Sequence, residues 1–164
     1  MFRRGTRIGV DVGAVRVGLA ACDPDGILAT PIETIPRDVD GGADVVRIAA
    51  EASERGVIEI IVGLPRSLDG VGRQAAATAS EFAGALAGHV APIPVRLVDE
   101  RLTTVAAHRQ LRDSGMAGKK QRGVVDTVAA VLILQQAIDS EKATGRPPGA
   151  PAEPPGTGRT TANP

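Results

Sequence analysis

Tyrosine and tryptophan are missing from this 164-residue chain, and phenylalanine occurs twice, as Phe2 and Phe82. Proteins that read single-stranded nucleic acid by sequence stack its bases on aromatic side chains. Any nucleic acid bound here is therefore expected to be recognised through its backbone and shape. Cysteine occurs once, at Cys22, which excludes an internal disulfide and a cysteine-based zinc site. Because it closes the apolar run from Val17 to Cys22, it is expected to be a plain buried thiol. His89 and His108 stand alone on polar stretches and are expected at the surface. Net charge is also missing, since 19 basic residues balance 19 acidic ones. That balance argues against a generic nucleic-acid coat protein, while leaving room for local basic clusters. No stretch approaches the roughly 18 apolar residues of a membrane span, and Met1-Phe2-Arg3-Arg4 is not followed by an apolar run of signal-peptide length. A cytoplasmic protein with no membrane partner is the expectation.

What is present suits one domain with a real core, at 43% hydrophobic and 23% charged residues. The opening reads as strand, turn, strand: residues 7–12, a glycine-marked turn at Gly13-Ala14, then residues 16–22. Asp23-Pro24-Asp25-Gly26 is a strong turn signal leading to a third strand over about 27–35. Helix-forming composition over 41–55 precedes the β-branched run Val57 to Val62, which has the character of a buried parallel strand. A glycine-rich loop over 67–72 precedes an alanine-rich helix over about 73–87, and residues 94–98 supply a fifth strand. Thr103 or Thr104 can cap the next helix, which should stop at Gly115, and a last helix covers about 121–141. Residues 142–164 hold six of the 12 prolines and four glycines, with no Val, Ile, Leu, Met or Phe. Such a segment has little to bury and is expected to be a disordered tail beyond a domain of residues 1–141. The expected fold is α/β, a mixed five-stranded sheet with three antiparallel strands, then parallel crossovers, flanked by helices.

Three carboxylates, Asp11, Glu100 and Asp126, lie where such a fold can bring them to one polar point. In Gly9-Val10-Asp11-Val12-Gly13, period-two alternation puts the apolar residues on one strand face and Asp11 on a nearly bare opposite face. A buried, unpaired charge is costly, so Asp11 needs a partner, and a bound cation is one. Asp99-Glu100-Arg101 closes the fifth strand, at the end where ligands collect in open α/β sheets. Adjacent strand residues face opposite ways, so only one of the two acids joins Asp11 easily, and periodicity does not say which. Asp126 shares a helix face with Arg122, Gly123, Ala129, Ala130 and Ile133, mostly small residues that permit close approach to a sheet. Taken alone, the spacing of Asp126 favours a solvent-facing acid near a helix start, suited to the dipole. The turn Asp11 to Gly18 with Arg16, and the loop Gly63 to Gly70 with Arg66 and Ser67, have the glycines and charge to hold phosphate or are structural turns.

Together these segments resemble the YqgF family of RNase H-like nucleases, also called RuvX. The likeness spans about residues 7–139. It rests on Gly9-Val10-Asp11-Val12-Gly13 with Arg16-Val17-Gly18, on Val62-Gly63-Leu64-Pro65 with Asp69-Gly70, on Asp99-Glu100-Arg101-Leu102-Thr103-Thr104, and on Val125-Asp126 with Ala129-Ala130 and Ile133-Leu134. The resemblance implies an RNase H-like fold and selects Glu100 over Asp99 as the second active-site acid, beside Asp11 and Asp126. Arg122 stands where the family often has lysine, which keeps the charge. The implied activity is phosphodiester hydrolysis with two divalent cations, Mg²⁺ or Mn²⁺, held by Asp11, Glu100 and Asp126, roughly 3.5–4 Å apart. Arg16, Arg66, Arg101 and Arg122 are the candidate contacts to nucleic acid.

The family points to two substrates, the 5′ end of precursor 16S ribosomal RNA and the branched DNA of a Holliday junction. Ribosomal RNA ranks first, because symmetric paired cuts need a dimer and a broad basic face that a neutral chain does not advertise. A monomer or weak homodimer is expected. Two rivals come from other classes. Asp11-x-Gly13 is also similar to the phosphate-binding turn of actin-like and sugar-kinase-like nucleotide binders, although those duplicate the domain to form a cleft. The other rival is a nucleic-acid-binding adaptor that retains an old nuclease fold without its activity.

Overall fold

A computed structural model describes residues 1–65, 70–100 and 119–155, without the side chains of 71 and 119–126. The strands are β1 (Arg7–Val12), β2 (Arg16–Cys22), β3 (Ala29–Pro36), β4 (Glu59–Leu64), β5 (Val95–Asp99) and β6 (Ala150–Pro151). The helices are α1 (Ala43–Arg55), α2 (Gly70–Val90) and α3 (Lys119–Thr144). The expected helix ending at Gly115, with His108, lies outside the described residues.

All six strands form one sheet in the order β3-β2-β1-β4-β5-β6. The β1-β2 and β2-β3 pairs are antiparallel, whereas β1-β4 and β4-β5 are parallel. The mixed α/β arrangement is as expected, but the sheet has six strands instead of five, because β6 pairs antiparallel with β5. Alternation along the strands builds two cores. Ile8, Val10 and Val12 of β1 join Val17, Leu19, Ile60 and Val62 under α1 and α2. On the opposite face Ala20, Ile61 and Val98 meet Ala130, Ile133, Leu134 and Ile138 of α3.

Local chemistry sets the boundaries. Asp23 Oδ1 accepts from the amides of Ile27 and Leu28 at 2.9 and 2.8 Å, which prolongs the turn and delays β3 to Ala29. Asp38 accepts from Gly41 and Ala43 at the entrance to α1. Gly56, at φ +59°, ends that helix with bonds back to Ser53 and Ala52. Helix α2 begins at Gly70, so the end of the expected glycine-rich loop is already helical. Cys22 is buried and its thiol is pushed up by that burial, as a structural cysteine's is. His89 is exposed in the last turn of α2.

The boundary expected at residue 141 differs from the structure. Helix α3 runs on to Thr144, and the chain then straps the outer edge of β5. Arg96 Nε donates to Pro148 O at 2.5 Å, Arg96 Nη2 to Gly149 O at 2.9 Å, and Ala152 N to Val95 O at 2.8 Å. Ala152 packs on the main core. Backbone pairing and a small apolar contact thus order a segment that has no large apolar residue. Residues 156–164 lie outside the described part.

Candidate active site

Asp11 is fully buried near the end of β1. Across β2 its partner is Gly18. Across β4 the register pairs Val10 with Val62, which brings Gly63 beside Asp11. The carboxylate therefore stands between two glycines, on a stretch of sheet stripped of other side chains. Its bare face, expected from the alternation in β1, is extended by the pairing on both sides.

Glu100 follows β5 directly, and its amide donates to Leu64 O at 3.0 Å, continuing the parallel ladder. Val98 belongs to the core under α3, whereas Leu97 packs on the opposite core. By alternation Glu100 shares the α3 face with Asp11, and Asp99 turns away. Glu100 is 8% exposed. Two strand spacings, roughly 9.6 Å, separate β5 from β1, and Gly63 occupies the middle. A β-carbon built there would lie 2.5 Å from Glu100 Oε1 and equally close to Ile133 Cδ1. The glycine is the cradle over which the longer acid reaches toward Asp11. That role is not visible in the sequence alone, although Gly63 stands in the Val62-Gly63-Leu64-Pro65 motif.

Helix α3 crosses the same face, antiparallel to β1, and two contacts set its path. At its C-terminal end Glu141 accepts from Arg7 Nη2 at 2.9 Å and from Arg3 Nε at 2.6 Å, while Arg3 Nη2 also reaches Glu59 at 2.6 Å. Nearer the site, a β-carbon on Gly9 would lie 2.6 Å from Leu134 Cβ and 2.8 Å from Ala130 O. Only glycine admits the helix backbone this close. Asp126 sits one helical turn before Ala130, a rise of about 6 Å, and Asp11 lies two strand residues beyond Gly9, about 6.6 Å. The two rises run in the same direction, so α3 carries Asp126 toward the end of β1 that bears Asp11. The Asp126 side chain lies outside the described part. Among the described residues no three His, Cys, Asp or Glu side chains cluster.

Arg16 opens β2, half-buried, on the α3 face and diagonal to Asp11. Arg66 and Arg101 lie outside the described residues, as does the side chain of Arg122. Asp11 and Glu100 offer carboxylate oxygen only, a donor chemistry suited to Mg²⁺ or Mn²⁺ and unsuited to soft ions. Among the described residues, no helix is long and apolar enough to cross a membrane.

Residues 5–140 match the family model described as RuvX, Holliday junction resolvase. Among curated proteins, one from Nocardioides sp. (strain ATCC BAA-499 / JS614) is 56% identical over 90% of this chain and 96% of its own length. One from Streptomyces coelicolor is likewise 56% identical, over 90% of this chain and 88% of its own length. Both carry the name "Putative pre-16S rRNA nuclease". Among solved structures, RuvC of T. thermophilus in complex with a Holliday junction substrate superposes with a TM-score of 0.57 at 13% identity, over 89% of this chain and 99% of that one. That likeness is one of fold.

Proposed function

The chain belongs to the RuvX family, and from that premise we propose that it is a metal-dependent nuclease that trims the 5′ end of precursor 16S ribosomal RNA. One observation carries the site assignment: Glu100 reaches over Gly63 onto the face and level of Asp11. In this reading Asp11, Glu100 and Asp126 hold the divalent cations. Bound Mg²⁺ or Mn²⁺ supplies the Lewis acidity that activates water and steadies the leaving oxygen of a phosphodiester. The protein's own contribution is placement. Asp11 is placed by its pairing with Gly18 of β2 and by the β1-β4 ladder that runs up to Val10, Glu100 by the Leu64 carbonyl, and the helix carrying Asp126 by its contact with Gly9. Arg16, at the rim, binds a backbone phosphate and offsets the charge that accumulates on it, with Arg66, Arg101 and Arg122 as further phosphate contacts.

Ribosomal RNA is favoured as substrate by the names of the relatives that match most of this chain. The chain's zero net charge agrees with a structured RNA bound by a local surface. The protein then acts as a monomer or weak homodimer in the cytoplasm, where ribosomes are built. The second reading, resolution of a four-way DNA junction, is favoured by the description of the family. It needs two sites on one junction and hence a stable symmetric dimer. The deciding experiment incubates purified protein with a panel of precursor 16S RNA fragments and branched DNA, with and without Mg²⁺ or Mn²⁺. Metal-dependent cuts near the mature 5′ end by a monomer support the first reading. Symmetric nicks in junctions only, by a dimer, support the second.

A further inference from the structure

Arg37, just beyond β3, is a largely covered charged residue, its side chain 11% accessible and that of its partner Asp44 2%. Its guanidinium makes three contacts. Nε pairs with Asp44 Oδ2 at 3.1 Å, the ring of Phe82 lies 5.1 Å from Cζ, and Nη1 donates to the carbonyl of Gly13 at 3.1 Å. Its backbone amide also donates to Val15 O at 2.9 Å. Two of these four contacts end on the β1-β2 tip. That tip is the stretch between Asp11 and Arg16, with Ala14 and Val15 exposed and Gly13 N closing the turn onto Arg16 O at 2.9 Å.

Taking a guanidinium out of water costs several kcal/mol, which a single carboxylate offsets only with good geometry. A fork that satisfies Asp44 and the Gly13 carbonyl at once meets that need, and only arginine presents it. The consequence for the site is mechanical. Asp44 belongs to α1 and is itself fixed, since its Oδ2 also accepts from the Asp38 amide at 3.1 Å. The tip is thereby tied to the helix layer on the face opposite the carboxylates.

We propose that Arg37 is a positioning residue for catalysis: it clamps the β1-β2 tip to α1 and Phe82, and so fixes the segment that joins Asp11 to Arg16. The inference rests on the nuclease site described above. Lysine at this position keeps the charge pair with Asp44 but has no fork to hold the Gly13 carbonyl at the same time, so Arg37→Lys separates clamping from folding.

The test compares wild type, Arg37→Lys and Asp11→Asn. Amide hydrogen exchange is followed at Gly13 and at Val62, and cleavage of a precursor 16S fragment is measured across Mn²⁺ concentrations, well below the melting temperatures of all three. In Arg37→Lys, exchange at Gly13 quickens about tenfold while Val62 is unchanged. Its kcat falls about tenfold or more with KM within about twofold, and half-maximal cleavage requires more Mn²⁺. A merely structural arginine would lower the melting temperature and leave Gly13 exchange and the Mn²⁺ requirement as in wild type. That outcome, or a kcat equal to wild type, overturns the proposal while leaving the nuclease site standing. Cleavage by Asp11→Asn at the wild-type rate would instead overturn the site and the proposal together.

Discussion

Gly63 and Glu100 are complementary: the glycine has no side chain where the glutamate needs to pass, and a β-carbon there would approach Oε1 to 2.5 Å. Gly63→Ala therefore pushes Glu100 and Ile133 aside. Overpacking of this kind costs about 1–3 kcal/mol, and both displaced atoms are side-chain ends that yield. The protein should fold, with a lower melting temperature and a steep loss of cleavage. A Gly63→Ala enzyme with wild-type kcat would show that Glu100 does not act from this position.

Alternation along β5 separates the adjacent acids. Glu100→Gln should abolish metal-dependent cleavage, whereas Asp99→Asn, on the other face, should retain most of it. Steady-state kinetics on both purified variants check this, and the reverse order would show that the face assignment is wrong.

The strap along β5 predicts a stability effect where composition suggests none. Truncation after Thr144 removes the Val95 and Arg96 bonds to the strap and uncovers the edge of β5. A loss of about 1–3 kcal/mol follows from three hydrogen bonds at about 1 kcal/mol each, and the melting temperature should fall by several degrees. A truncated protein that melts with the full chain would mean that the strap adds nothing to stability.

Acid should weaken the anchor of α3. Burial pushes the Glu141 carboxyl up, but the hydrogen bond from Arg3 and the charges of Arg7 and Arg3 outweigh it and hold it below its ordinary range. The unfolded chain, with glutamate near about 4.3, takes up the proton first. The contribution of Glu141 is thus complete above that value and fades as pH falls through the lower folded value. Denaturation of wild type and Glu141→Gln between neutral and acid pH should show a gap that narrows below about pH 4.3. A gap independent of pH would separate the stabilising role of Glu141 from its charge.

Asp11 and its bare face were legible because a period-two pattern with glycines on one side is a local signal. Gly18 opposite Asp11 and Gly63 beside it were not, since register is a property of pairs of strands. The choice between Asp99 and Glu100 was open to periodicity for the same reason: it depends on where β5 stops, and only the family resemblance favoured Glu100. The strap along β5 is not legible in composition, because a count of large apolar residues does not register backbone bonds to a free sheet edge. The setting of Arg37 is not legible either, because its three partners, Gly13, Asp44 and Phe82, come from different parts of the chain.

We propose that Asp11, a carboxylate between two glycines, holds a catalytic metal. Its most direct test is cleavage of a precursor 16S fragment by wild type and Asp11→Asn, each titrated with Mg²⁺ and Mn²⁺. Wild type should cut only with metal, and Asp11→Asn, folded and at least as stable in metal-free buffer because it relieves repulsion among the acids proposed to share the site, should not cut at any metal concentration. Purified Asp11→Asn cutting at the wild-type rate would mean that no catalytic metal is held at Asp11.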